Sequence, residues 1–260
     1  MTDLGDTMKS LLGHMVCACV LVLGISSSGQ AGFEEGRAAY DRGNYAQALV
    51  EFGKPAEQGD ARAQLALGMM YSEGRGVPKD DAQAVVWYRK AAEQGLAKAQ
   101  SELGSHYSKG LGVPRNDAEA ARWFRKAAEQ GQAKAQFNLG SMYAAGRGVP
   151  KNEVQAAVWC RKAAEQGDVN AQFTLGTMYG DGKGVPQDYR EAVQWFRKAA
   201  EQGHEYARLE LDRLDGVEIA GQWVTYKELW VAGGVVCVAL AWGVLRIMNR
   251  RKKVASDTGS

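Results

Sequence analysis

The chain has 260 residues, a formal net charge of +2, 45% hydrophobic residues and four cysteines. So balanced a charge argues against a nucleic-acid footprint or an acidic polymer substrate. Cys17, Cys19, Cys160 and Cys237 show neither a disulfide framework nor zinc-ligand spacing.

At the N-terminus, Lys9 precedes an apolar run over residues 11–25 and then Ser-Ser-Ser-Gly-Gln-Ala. A positive residue, a short apolar run and small residues predict a secretory signal over 1–31, cut after Ala31. Asp3 and Asp6 are unusual in such a leader, and a start at Met8 would remove both. An uncleaved anchor is the alternative. Residues 33–58 hold two helix-like stretches joined by Arg42-Gly43-Asn44. Tyr40, Tyr45, Ala48, Leu49 and Phe52 give them an apolar side, so this segment reads as an N-terminal capping pair.

From residue 59 the chain repeats. Ala-Ala-Glu-Gln-Gly closes at Gly95, Gly131, Gly167 and Gly203, and Gly-Val-Pro recurs at Gly76, Gly112, Gly148 and Gly184, a period of 36 residues in both cases. The units are 59–94, 95–130, 131–166 and 167–202. Such periods mark stacked supersecondary units that share one continuous core. In the first half of each unit Ala63, Leu67 and Tyr71, with their copies 36, 72 and 108 residues on, form one helical stripe. Gly68, Gly104, Gly140 and Gly176 lie inside that helix, where each costs about 1 kcal/mol against Ala. Their recurrence predicts close approach of a paired helix. The second helix starts at Asp80, Asn116, Asn152 and Asp188, each followed three residues later by Gln or Glu as in a capping box. Its stripe is Ala84, Trp87 and Ala91 and their copies. Gly95 and its equivalents end it. The Arg at 89, 125, 161 and 197 stands four residues before a Glu, the spacing of exposed helix ion pairs.

Residues 203–214 keep Ala207 and Leu211 of the stripe, but Asp212 takes the glycine position and Asp215 the tyrosine position. This segment reads as a C-terminal cap, followed by a linker over 215–228. Residues 229–245 carry no charge, and the run extends to Met248, long enough for a membrane span. Trp223, Tyr226 and Trp230 precede it like an interfacial belt. Arg246, Arg250, Arg251, Lys252 and Lys253 mark the cytoplasmic side. The expectation is a span over 229–248, a basic cytoplasmic tail over 249–260, and repeats held in the periplasm at a bacterial inner membrane. A buried helix of a soluble domain is the alternative.

The combination Ala-x-x-x-Leu-Gly-x-x-Tyr, Gly-x-Gly-Val-Pro and Ala-x-x-Trp-x-x-x-Ala-Ala-x-x-Gly resembles the Sel1-like repeat family, a relative of tetratricopeptide repeats, over residues 59–211. The resemblance implies an all-α fold, an α/α superhelical solenoid, used as an adaptor or scaffold in signalling and membrane-associated complexes. Some secreted members carry a disulfide in each repeat. Cys160 stands alone in these repeats, so activities suggested for that subgroup are not carried over.

Positions offset from the first-helix stripe would face a partner: Arg62, Leu65, Met69; Lys98, Ser101, Ser105; Lys134, Phe137, Ser141; Asn170, Phe173, Thr177. They vary where the stripes do not. Arg62, Lys98 and Lys134 form a cationic row and Leu65, Phe137 and Phe173 supply apolar anchors, suited to a peptide carrying carboxylates. A plain solvated face has the same pattern. His106 and His204 lack acidic or thiol partners at ligand spacing, and Cys160 occupies the slot of Tyr88, Phe124 and Phe196. No enzyme activity, cofactor or metal is therefore expected. The expected function is a non-catalytic protein-interaction scaffold with a protein or peptide partner. The alternatives are a cell-envelope enzyme or enzyme regulator, and a structural assembly factor acting through the convex face or the membrane helix.

Overall fold

The computed structural model describes residues 31–214, 217–219 and 222–224. They fall into two compact units that divide between Asp168 and Val169. The first contains α1 (31–41), α2 (Tyr45–Glu57), α3 (Ala61–Glu73), α4 (Asp81–Glu93), α5 (Ala97–Lys109), α6 (Asp117–Glu129), α7 (Ala133–Ala145) and α8 (Glu153–Glu165). The second contains α9 (Val169–Asp181), α10 (Tyr189–Glu201), α11 (Glu205–Leu214) and an antiparallel hairpin of β1 (Val217–Ile219) and β2 (Gln222–Val224). Each unit is thus built from stacked helix pairs, the all-α solenoid arrangement. The hairpin lies in the stretch expected to be a linker. Its three-residue strands are too short to show a two-residue hydrophobic period.

Local chemistry sets the helix ends. Asp80 accepts from the backbone N–H groups of Ala82 and Gln83, Asn116 from Glu119, Asn152 from Gln155, and Asp188 from Arg190 and Glu191. Gly95 closes α4 at φ +92°. There the N–H of Leu96 returns to the Ala91 carbonyl at 3.2 Å and that of Gly95 to the Ala92 carbonyl at 3.0 Å, the pairing of a Schellman end.

Within each pair the helices meet at glycine. A Cβ at Gly68 would lie 2.6 Å from the Tyr88 ring, at Gly104 2.9 Å from Phe124, and at Gly176 2.7 Å from Phe196. At Gly140 it would lie 2.8 Å from Cys160 Sγ and 3.2 Å from the Cys160 backbone nitrogen. The expected close approach is therefore present, and the residues that make it are buried. Neighbouring pairs of the first unit are joined by a second glycine. A Cβ at Gly76 would lie 2.7 Å from the Tyr45 carbonyl oxygen at the start of α2. Gly112 and Gly148 meet the Asp81 and Asp117 carbonyls in the same way.

A buried glutamine completes the joint. Gln100 Nε2 donates to the Ala92 carbonyl at 3.1 Å, while its Oε1 accepts from Gln130 Nε2 at 2.8 Å. Gln64 and Gln136 repeat this with Ala56 and Gln94, and with Ala128 and Gln166. One side chain thus satisfies the end of the preceding helix pair and ties it to its own.

One expectation about the helix surfaces needs correction. Arg89 and Arg125 do not pair with Glu93 and Glu129; they donate to the hydroxyls of Tyr107 and Tyr143 at 2.6 and 2.7 Å. The next pair places a fixed acceptor within reach, and it outcompetes a solvent-screened carboxylate. Lys90, Lys126, Lys162 and Lys198 lie 4.0–4.4 Å over the rings of Trp87, Trp123, Trp159 and Trp195. Among the described residues no helix is long and apolar enough to cross a membrane. Residues 229–248, where the span was expected, lie outside the described residues, as does most of the 1–31 signal segment.

The glycine contacts predict opposite signs for one kind of substitution. Gly140→Ala must displace backbone and should cost about 1–3 kcal/mol, and Gly140→Leu should abolish cooperative melting. Gly53, helical with nothing within 4 Å of an added Cβ, should instead gain about 0.5–1 kcal/mol on replacement by Ala. Thermal melting of the three variants checks this.

Candidate functional site

The first unit carries a groove of about 330 Å³ where α1, α3 and the start of α5 meet. Phe33, Tyr40 and Phe52 line one side, and Leu65, Met69 and Leu96 the other. Arg37, Arg62 and Lys98 lie along its rim. Arg62 binds the Asp60 carboxylate at 2.9 Å and lies 4.3 Å over the Phe33 ring. Burial would raise the Asp60 carboxyl, but hydrogen bonds from the Arg62 side chain and from the Arg62 and Ala63 N–H groups outweigh it and hold the group below its usual range. Arg37 and Lys98 form no ion pair among the described residues.

Leu96 sits at an informative position. The residue before α3, Asp60, accepts from Arg62 and Ala63, and that before α7, Gln132, accepts from Ala135. Leu96 occupies the same position before α5 and makes no side-chain cap. Losing such a cap costs about 0.5–2 kcal/mol. Its side chain lines the apolar groove instead.

The structure distributes the expected site residues unevenly. Arg62, Leu65, Met69 and Lys98 converge on this groove. Ser105, Lys134 and Ser141 line a smaller hollow of about 140 Å³ between α5 and α7. Lys134 there pairs with Glu102 at 3.0 Å, so the cationic row is partly neutralised. In the second unit Phe173 and Thr177 line a cavity of about 900 Å³. Phe173 is a packing residue there, stacked on His204 at 4.5 Å and tilted against Phe196 at 5.6 Å. Phe137 is half-buried and Asn170 exposed, and neither lines these spaces. Ser101 is a correction: it is 0% exposed. Its short side chain ends below the surface that the longer Leu65 and Phe137 reach at the same repeat position.

Phe33, Arg37 and Leu96 were missed as groove residues. Leu96 was detectable, since its equivalents Asp60, Gln132, Asp168 and His204 are all polar. Phe33 and Arg37 precede the repeats and have no copies to be compared with.

The nucleophile and ligand candidates are committed to structure. Cys160 is 1% exposed, and burial, with Asp168 adding to it, pushes its thiol up to about 12. It is protonated at neutral pH and inert as a nucleophile. His106 is buried, with Nδ1 donating to the Leu111 carbonyl at 3.1 Å. Among the described residues no three His, Cys, Asp or Glu side chains are grouped to hold a metal. Iodoacetamide at pH 8 should therefore alkylate Cys160 at least 100-fold more slowly in the native chain than in denaturant, a rate that peptide mapping reads directly.

Comparison with known proteins places this geometry in a family. The sequence matches the family described as Sel1 repeat over residues 61–96, 97–132, 133–168 and 169–204. A protective antigen from uropathogenic Escherichia coli strains with an SLR fold is 41% identical, with a TM-score of 0.70 over 78% of this chain and 45% of that one. The matched region therefore spans less than half of the antigen. A Sel1 repeat protein from Oxalobacter formigenes is 42% identical, with a TM-score of 0.66 over 69% of this chain and 72% of that one. No curated protein matches the chain. With four matched repeats covering more than half its length, the protein belongs to the Sel1 repeat family.

Proposed function

We propose that the protein is a non-catalytic scaffold that binds an acidic peptide segment of a partner protein in the groove between α1, α3 and α5. Sel1 repeat proteins are generally protein-interaction scaffolds. The observation that carries the reading is Leu96. At a position where neighbouring repeats stabilise their helix, α5 forgoes the cap and contributes an apolar wall. Sequences that break a local rule do so most often at functional sites. The groove takes an apolar side chain, and Arg37 and Lys98 select carboxylates beside it, while Arg62 is held by Asp60. Rim charges of this kind govern specificity and association rate more than affinity.

Fluorescence anisotropy on the full chain tests this with synthetic peptides that present Leu between Glu residues, and with the same peptides carrying Lys for Glu. The acidic series should bind and weaken with salt, and the basic series should not. Arg37→Glu with Lys98→Glu should weaken the acidic series at least tenfold while leaving the melting temperature unchanged, because both side chains are exposed and unpaired among the described residues. Equal binding of both series refutes the reading.

A second reading is favoured by Val50, Val86 and Val158, which occupy one repeat position on second helices and are 72%, 46% and 43% exposed. A partner held there would be insensitive to the groove variant and lost on Val86→Lys with Val158→Lys.

We also propose that the repeats are displayed in the periplasm, delivered by the 1–31 segment and held at the inner membrane by residues 229–248. The hydropathy of these segments and the basic 249–260 tail support it. Protease added to spheroplasts should digest the repeats and spare an epitope placed on the tail. Protection of the repeats would contradict this topology.

A further inference from the structure

The hollow between α5 and α7 has a different chemistry from the groove. Lys109, Lys134 and Arg147 surround it, Ser108, Ser141 and Asn138 supply further donors, and Phe124 and Met142 line it from the core. Ser105 Oγ donates to the Ser101 carbonyl at 3.0 Å, which leaves its lone pairs rather than a proton for the hollow. Glu102 pairs with Lys134 at 3.0 Å. Asp117, itself paired with Arg115, lies within electrostatic reach of Arg147, so the three lining cations keep an excess of positive charge with Lys109 unpaired among the described residues.

The repeats provide an internal control. One period earlier, the positions of Lys109, Asn138 and Arg147 hold Glu73, Glu102 and Leu111. Each of these three differences makes the later junction more positive, Glu102 in place of Ala66 takes back one charge, and the stacking contacts require none of them. The glycines and glutamines that build the joint are the same at both, and the ring that fills the glycine gap is Tyr88 in one and Phe124 in the other. Lys109, Asn138 and Arg147 line the hollow, so these three differences change its charge directly.

We propose that this hollow binds a phosphoryl group. At neutral pH such a group carries about −1.5 to −2 charges and three strong acceptor oxygens. That matches the residual charge and the number of hydroxyl, amide and ammonium donors. A carboxylate carries half the charge and leaves donors unused. The buried ring of Phe124 and the buried Met142 reduce screening on the inner side, where charge–charge attraction is strongest. The volume of about 140 Å³ admits a phosphoryl group and the first atoms of its ester, and is too small for a nucleobase beside them. The site does not depend on the peptide reading of the first groove, with which it shares α5 and no lining residue.

Calorimetric titration of the full chain at fixed ionic strength tests the proposal with O-phosphoserine, inorganic phosphate and acetate. Both phosphates should bind at least tenfold more tightly than acetate. An ester preferred over inorganic phosphate identifies a phosphorylated side chain as the natural source, and equal binding identifies the free ion; both outcomes support the phosphoryl site. Lys109→Glu with Arg147→Glu should reduce phosphoserine affinity at least tenfold, whereas Lys98→Glu should not change it. Ser141→Ala, which alters no charge, should reduce it severalfold and serves if the double variant fails to fold. Phosphate binding no tighter than acetate, or unchanged in these variants, overturns the proposal.

Discussion

Everything else in the structure depends on how closely the two helices of a pair approach. At Gly68, Gly104 and Gly140 the first helix presents bare backbone, and Tyr88, Phe124 or Cys160 of the second helix fills the space a Cβ would take. This contact fixes the separation and rotation of the pair. It thereby decides which side chains of the first helix turn inward and which are left outward. Leu65 and Lys98 reach the groove because Ala63, Leu67, Ala99 and Leu103 are locked in the core on the adjacent face. Packing of this density tolerates little adjustment, so the outward face has a defined geometry even though its residues take no part in the joint.

Joining one pair to the next needs different devices, because a helix end leaves carbonyl groups that must find donors. Gln64, Gln100 and Gln136 supply them from the following helix while accepting from the glutamine that ends their own pair. Gly76, Gly112 and Gly148 let the connecting loop rest on the start of the preceding second helix. The two links fix opposite ends of the joint, which makes the stacking angle a property of the repeat rather than of its variable surface.

The sequence revealed what is local or repeated. Caps at Asp80 and Asn116, the glycine ends and the glycine–aromatic approach each follow from one residue type in one helical position, copied every 36 residues. The bonds from Arg89 to Tyr107 and from Gln94 to Gln64 were not legible. They join residues 18 and 30 positions apart, and nothing in a single helix announces them. An i,i+4 glutamate looked sufficient for Arg89 until the following helix supplied a better acceptor. Ser101 shows the same limit at the surface. Helical position placed it outward, but the length of a side chain decides whether it arrives there. The groove itself was half visible: its repeat-borne wall could be read from variable positions, whereas Phe33 and Arg37 belong to the unrepeated first helix.

Helix α5 connects the two chemistries on this face. Leu96 and Lys98 at its start belong to the apolar groove, and Ser105, Ser108 and Lys109 near its end belong to the cationic hollow. At about 1.5 Å per residue, Lys98 and Lys109 are separated by roughly 16 Å along the helix. An extended chain covers that distance in about five residues. A single strand of partner could therefore place an apolar side chain in one site and a phosphoryl-bearing side chain in the other. Occupying both with one chain multiplies the apparent affinity, because the second contact forms at the high effective concentration set by the first. Two sites at opposite ends of one helix would then read residue order as well as residue type. Neither an apolar groove nor an anion site alone can make that distinction.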